Sequence, residues 1–413
     1  MGERRSRAIY RAFCLIVCAI LATPLLAAEP EVAALEQRVR DAPTARRSAL
    51  LLELSQALGS IDTERALTAA REARKAATTP RDELFADARI STLQRMRGDF
   101  AEAFTTAHAA LTRATELGDE PAQAELLLSM ARSHWSLGDV PATMAAHHQL
   151  QTLAAKLGHR TLIGRSHLGL SVVYGELKQS AKAREEEEIA LRIAREIGDR
   201  ELESDALNNL GNNYRNAGEL EASRRAHEQA RAIREGIGHR RGVGDSHINL
   251  SEVARIARDF PLALDHAARA LAVYEQIGLP RYIANAHLQT AAILRDAGKL
   301  DEALARLRTG FAVAEPLGTP ILLLNYHREF AALAAARGDW RAAYEAERKR
   351  AAAADTVLGE KARQQAAALN ARYEADRRQQ EIARLQGDRA RQLADLRTKE
   401  ADLLLVCRDR DQE

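Results

Sequence analysis

A glycine preceded by Leu or Ile returns every 40 residues, at Gly118, Gly158, Gly198, Gly238, Gly278 and Gly318. A second punctuation runs 20 residues out of phase, at Gly98-Asp99, Gly138-Asp139, Lys178-Gln179, Gly218-Glu219, Arg258-Asp259, Gly298-Lys299 and Gly338-Asp339. Two turn signals per period divide each unit into two helices of similar length, because helices commonly end on a glycine in the left-handed region. A chain punctuated in this way is a stack of helical hairpins. Its 413 residues need not divide into separate globules, because a stack grows along one axis.

The residues between the turns keep helical time. Leu207, Leu210, Gly211 and Tyr214 fall at i, i+3, i+4 and i+7. The column of Gly211 holds Ala131, Ser171, Ser251, Ala291 and Ala331 in other units. Five residues after each mid-unit turn a second small column holds Ala103, Thr143, Ala183, Ser223, Ala263, Ala303 and Ala343. Two facing columns of small side chains let paired helices approach closely. Only 4% of residues are aromatic while 46% are hydrophobic, so Ala and Leu must supply this core.

These columns, the Gly-Asp turn and the later Ala110, Ala190, Ala230 and Ala270 resemble the tetratricopeptide repeat family over roughly residues 44–358, about eight repeats. Leu210-Gly211 with Tyr214 is the closest single unit. The early aromatic of the family's first helix and the proline that ends its unit are missing, and a 40-residue period implies a lengthened second helix. The resemblance implies an all-α, right-handed α-solenoid with a concave groove lined by the first helix of each pair. It also implies a function in binding proteins or peptides.

Both ends of the chain differ from the repeats. Arg4, Arg5, Arg7 and Arg11 precede an apolar run from Ala12 to Leu26, and Ala27-Ala28 offers a cleavage site before Glu29. Residues 1–28 are therefore expected to be a signal peptide and the mature chain to be periplasmic. Membrane association is expected only if the leader stays attached as an anchor. The leader carries four Arg and one Glu, and its loss takes the formal charge from +2 to −1. No basic field then remains to attract nucleic acid. Cys14 and Cys18 leave with the leader, so Cys407 has no partner for a disulfide.

Residues 29–60 are expected to form a helical cap and the start of the first repeat, with the solenoid proper over 61–358. Residues 359–405 predict one long charged helix with a sparse apolar stripe at Leu369, Tyr373, Ile382, Leu385, Leu393, Leu396 and Leu403. It either pairs in a homodimeric coiled coil through 360–405 or caps the stack. A disordered tail follows over 406–413. The stretch LNARYEADRRQQEIARLQ is similar to the linker of bacterial receptors that join periplasmic repeats to a diguanylate cyclase or histidine kinase. That resemblance implies a sensor half without its output domain, as the alternative to a freestanding scaffold.

Catalytic signatures are missing from the sequence: it holds no HExxH, no G-x-S-x-G and no phosphate-binding loop. No enzyme activity, cofactor or metal is expected. Gly242-Val243-Gly244 reads as turn chemistry at a repeat boundary, and His167, His247, His287 and His327 read as a packing column in place of the family's aromatic. His147-His148 stands alone on a second helix. The polar face of the first helices is the candidate site. It carries Asn209, Asn212, Arg215, Asn249, Arg255 and Arg295, with the three arginines one period apart. Amides can pair with an extended peptide backbone, and guanidinium groups can hold carboxylates. The competing reading is a hydrated face with local Glu–Arg pairs.

Overall fold

The computed structural model describes residues 29–59 and 62–359, together with separate residues from Arg363 to Ala394. The leader, most of the long C-terminal helix with its proposed dimer seam, and the tail lie outside the described residues. The residues that are described between Arg363 and Ala394 are helical and exposed. Among the described residues there is no strand, and no helix is long and apolar enough to cross a membrane.

A lead helix α1 (Glu29–Asp41) precedes eight hairpins. Their first members are α2 (Thr44–Leu58), α4 (Pro80–Arg97), α6 (Glu120–Ser136), α8 (Arg160–Glu176), α10 (Arg200–Asn216), α12 (Arg240–Ile256), α14 (Pro280–Asp296) and α16 (Pro320–Ala336). Their second members are α3 (Thr63–Lys75), α5 (Phe100–Glu116), α7 (Val140–Lys156), α9 (Ser180–Ile197), α11 (Leu220–Gly236), α13 (Phe260–Gln276), α15 (Leu300–Ala314) and α17 (residues 340–359). Even-numbered helices from α2 to α16 also touch the next even-numbered helix directly, whereas the odd-numbered ones do not do so to the same degree. The even series is therefore the inner, concave wall.

The Gly-Asp pair does two separate jobs at the turns. Gly98 has φ 101 and Gly138 φ 76, and the next residue closes a Schellman motif. Thus the Asp99 amide donates to the Gln94 carbonyl at 2.9 Å, and the Asp139 amide to that of His134 at 3.0 Å. The aspartate then starts the following helix: Asp139 Oδ1 accepts the Ala142 amide at 3.1 Å, and Asp259 Oδ1 that of Leu262 at 3.1 Å. The two mid-unit turns that lack glycine keep the same geometry, with Lys178 at φ 58 and Arg258 at φ 63.

The small columns meet as expected. Ser91 Oγ donates to the Ala103 carbonyl at 2.8 Å, Ser251 Oγ to that of Ala263 at 2.9 Å, and Ser223 Oγ to that of Gly211 at 2.7 Å. Only small residues at both positions permit such contact between helix backbones. Around them Leu207, Leu210 and Ala230 are buried, and the same layer continues through Leu250, Ala263, Ile293 and Leu307. Each fully buried Leu or Ile contributes roughly 1.5–3 kcal/mol.

One sequence expectation is corrected. Gly242 and Gly244 are helical and buried inside the first turns of α12 and not at a turn. A Cβ on Gly242 would come within 2.8 Å of Arg234 Cδ, and one on Gly244 within 2.5 Å of the Tyr274 ring. Both glycines make room for large side chains from the flanking outer helices.

Candidate functional site

The histidine column of the inner helices packs as the sequence suggests at His247, His287 and His327, while His167 is half-buried and pairs with Glu186. His247 and His287 are buried, His247 Nδ1 lies 3.0 Å from Nδ1 of His266, and the His327 ring stacks near Phe311. Burial pushes His247 and His287 down to about 4, so both are neutral at physiological pH. Among the described residues no group of His, Cys, Asp or Glu is placed to hold a metal ion.

The predicted polar row divides in two. Over α12 to α16 its charges are consumed within the chain. Arg255 grips Glu252 with two hydrogen bonds, at 2.8 and 2.7 Å, and also pairs with Asp296 of the next inner helix. Glu252 accepts a further bond from Gln289 at 2.6 Å. Arg295 meets Asp296 at 3.1 Å and donates to Glu329 of the following unit at 2.6 Å. The result is a ladder of alternating charge across three inner helices. Asn249 is tied in as well, donating to Asn208 Oδ1 at 2.9 Å.

On α10 the row is unspent. Asn212 Oδ1 and Asn213 Oδ1 are buried without a hydrogen-bond partner among the described residues. Asn213 uses only its amide nitrogen, on the Ser180 carbonyl at 3.2 Å. Arg215 makes no ion pair among the described residues. Asn209 lines a cavity of about 500 Å³ in the inner groove that reaches from Gln56 of α2 to Asp205 of α10. Of the six predicted residues, then, Asn209, Asn212 and Arg215 keep free polar capacity, while Asn249, Arg255 and Arg295 are committed to neighbours.

The same cavity contains three residues the sequence reading passed over: Arg95, Arg132 and Arg165. A signal existed, since Arg95 stands three periods before Arg215, and Arg132 two periods before Asn212. His147 does not stand alone: it begins a column on the outer helices that continues one and two periods on at Glu187 and His227. All three are buried, and the two histidines sit against Gly169 and Gly211, where a Cβ would approach the imidazole within 2.1 and 2.6 Å. Burial holds His147 at about 4 and His227 at about 3, and raises Glu187 to about 7.

The tetratricopeptide repeat family model matches residues 202–276. No curated protein sequence matches the chain. Among solved structures, one similar to it is a signal-transduction ATPase with a tetratricopeptide repeat sensor from Pyrococcus horikoshii. It is 18% identical with a TM-score of 0.55, and the match covers 76% of this chain but about half, 49%, of that one. A Rap protein complexed with competence and sporulation factor is 13% identical with a TM-score of 0.57, over 81% of this chain and 99% of that one. A Rap conjugation gene regulator in complex with its Phr* peptide is 11% identical with a TM-score of 0.53, over 80% and 96%. At these identities the likeness is one of fold. Residues 202–276 match tetratricopeptide repeats, and the same hairpin continues on both sides, so the described chain has the fold of an α-solenoid of tetratricopeptide-type hairpins.

Proposed function

We propose that the chain is a binding scaffold whose inner groove holds an extended peptide, or an extended segment of a protein, against α8 and α10. The observation that carries this reading is the unspent hydrogen-bonding capacity of α10. Buried carbonyl oxygens on Asn212 and Asn213 lack donors, beside an unpaired Arg215. Leaving a buried polar atom unsatisfied costs about 1–3 kcal/mol, so a face that does so repeatedly is suited to a ligand that supplies the missing groups. A peptide backbone has N–H donors at regular intervals, matching a row of amide oxygens. The peptide-bound Rap structures support the reading by example, as solenoids of similar fold that hold a peptide.

The test is a selection of peptides from a displayed random library on the mature chain. The recovered peptides are then measured against a variant carrying Asn209→Ala, Asn212→Ala and Arg215→Ala. Binding is expected to weaken by about 2 kcal/mol or more while the melting temperature stays near that of the parent. Peptides that bind the triple variant as well as the parent would show that the ligand docks away from this face.

A further inference from the structure

The inner groove is not uniform, and the cavity toward its N-terminal end has a chemistry of its own. Arg95, Arg132 and Arg165 come from three successive inner helices, α4, α6 and α8, and all line the same space of about 500 Å³. Among the described residues, Arg95 and Arg132 make no ion pair and no side-chain hydrogen bond. Arg165 has only a distant contact with Glu201, at 3.8 Å. The two carboxylates on the cavity wall offset this charge only in part. Glu201 is largely exposed, and Asp205 pairs at 3.2 Å with Arg234 of α11.

Arg132 is exposed to the cavity that it lines. Desolvation, then Arg95 and Arg165, push its guanidinium down to about 10, while Glu125 and Asp205 act the other way. It stays protonated at neutral pH, in a place where positive charge is disfavoured. Arg95 is lowered by desolvation alone. Three guanidinium groups that face a common space, two of them without an ion-pair partner among the described residues, form a site that an oxyanion placed between them would satisfy. Trp135, Leu128 and Val172 line the same cavity and add an apolar wall beside the charge.

We propose that this cavity is the specificity pocket of the groove. In it Arg95, Arg132 and Arg165 hold a carboxylate of the bound peptide, while Trp135, Leu128 and Val172 cover a neighbouring apolar side chain. The inference rests on the reading of the inner groove as a peptide site and narrows it to an acidic peptide. It also moves the anchoring charge away from Arg255 and Arg295, whose guanidinium groups are already held by carboxylates of this chain.

The experiment is a parallel selection of random dodecapeptides on the mature chain and on a variant with Arg95→Gln, Arg132→Gln and Arg165→Gln. One library is fused through its C-terminus and a second presents free C-termini, which separates side-chain carboxylates from terminal ones. The parent is expected to enrich Asp or Glu next to an apolar residue in the first library, or a preferred terminal sequence in the second. The variant is expected to lose that enrichment. The chain has two tryptophans, so Trp340→Phe leaves Trp135 as the sole reporter inside the cavity. A selected acidic peptide should change its emission, with an affinity about thirtyfold weaker after the single change Arg132→Gln. That single change guards against a triple variant that fails to fold.

Peptides recovered without acidic enrichment, or bound equally well after Arg132→Gln, would overturn the pocket while leaving the groove intact. Recovery of no peptide on either protein would overturn both readings. Acidic peptides that leave Trp135 emission unchanged would place the acidic site elsewhere and overturn the assignment.

Discussion

Arg95 and Arg295 occupy one column of the repeat, five periods apart, and meet opposite circumstances. In the C-terminal region the next inner helix always brings a carboxylate to the arginine: Asp296 for Arg255, and Glu329 for Arg295. In the N-terminal region the corresponding neighbours are further arginines and a tryptophan around an open cavity. A column therefore fixes only where a side chain points. Whether its charge is free for a ligand depends on the unit that follows. The comparison divides the solenoid into a stretch of groove that is internally neutralised, and so structural, and one that is left charged.

The strongest way to break that division is to remove one partner from each region. Glu329→Gln leaves Arg295 with Asp296 alone, which Arg255 already shares. Removing one partner of a buried pair costs about 3–5 kcal/mol, and about 2 kcal/mol is expected here because Arg295 retains 26% of its exposure. Arg132→Gln removes a charge that has no partner, so stability should stay within about 0.5 kcal/mol of the parent or rise. Denaturant melts followed by circular dichroism, with amide exchange on α16 and α6, read both effects. An Arg132→Gln loss as large as that of Glu329→Gln would mean that the N-terminal arginines are structural too.

The scaffold was far more legible in the sequence than the site, for a physical reason. A turn glycine, a capping aspartate and a small residue at a helix contact are demanded by the backbone itself, so they recur at a fixed period. The same logic located the histidine column correctly. It misplaced Gly242 and Gly244, because a glycine that admits a side chain from another helix is chemically identical to one that ends a helix. It also could not tell the free arginines from the paired ones. Glu252, three residues before Arg255, fits the local pairing the sequence offered. The carboxylates that tie Arg255 and Arg295 to the next inner helix lie 41 and 34 residues away, a relation that only the stacking of units sets.

A smaller difference lies on the outer helices. The column of His147, Glu187 and His227 is flanked by Ala107 before it and by Ala267 and Leu307 after it, so the middle units bury ionisable groups where the units on either side bury carbon. Burial depresses the histidines, whose stabilising contribution is complete above about pH 6.5 and declines as the pH falls toward 4. His247 and His287 are depressed in the same way, so the acid limb belongs to both regions. Glu187 has the opposite sign. Its carboxyl is raised from 4.5 to about 7, so the folded state holds a proton that the unfolded chain releases. Stability therefore declines as pH rises through that window. Oε2 of this side chain has no hydrogen-bond partner among the described residues. Glu187→Gln, which resembles the neutral acid, should add about 1–2 kcal/mol at pH 8 and almost nothing at pH 4.5. Urea midpoints at the two pH values test it. An equal change at both would indicate a packing effect and no titration.

The smallest expected effect is a control on whether the two regions share one scaffold despite their different grooves. Lys178, between α8 and α9, and Arg258, between α12 and α13, adopt φ of 58 and 63, where the other mid-unit turns use glycine. A side chain in the left-handed region costs about 1–2 kcal/mol, and glycine returns roughly 0.5–1 kcal/mol of that through its greater freedom in the unfolded chain. Both side chains are exposed, so little else changes on substitution. Lys178→Gly and Arg258→Gly should therefore each stabilise by about 0.5–1 kcal/mol. In a stack whose units interact mainly with their neighbours, the two gains should be equal and additive, the turns being 80 residues apart in sequence. A gain at Arg258 alone would show that the ladder of α12 to α16 stiffens its own turns, and that the division of the groove extends into the scaffold. No gain at either would mean that the turn relaxes around its side chain at no cost, leaving sequence freedom at a position where glycine otherwise recurs.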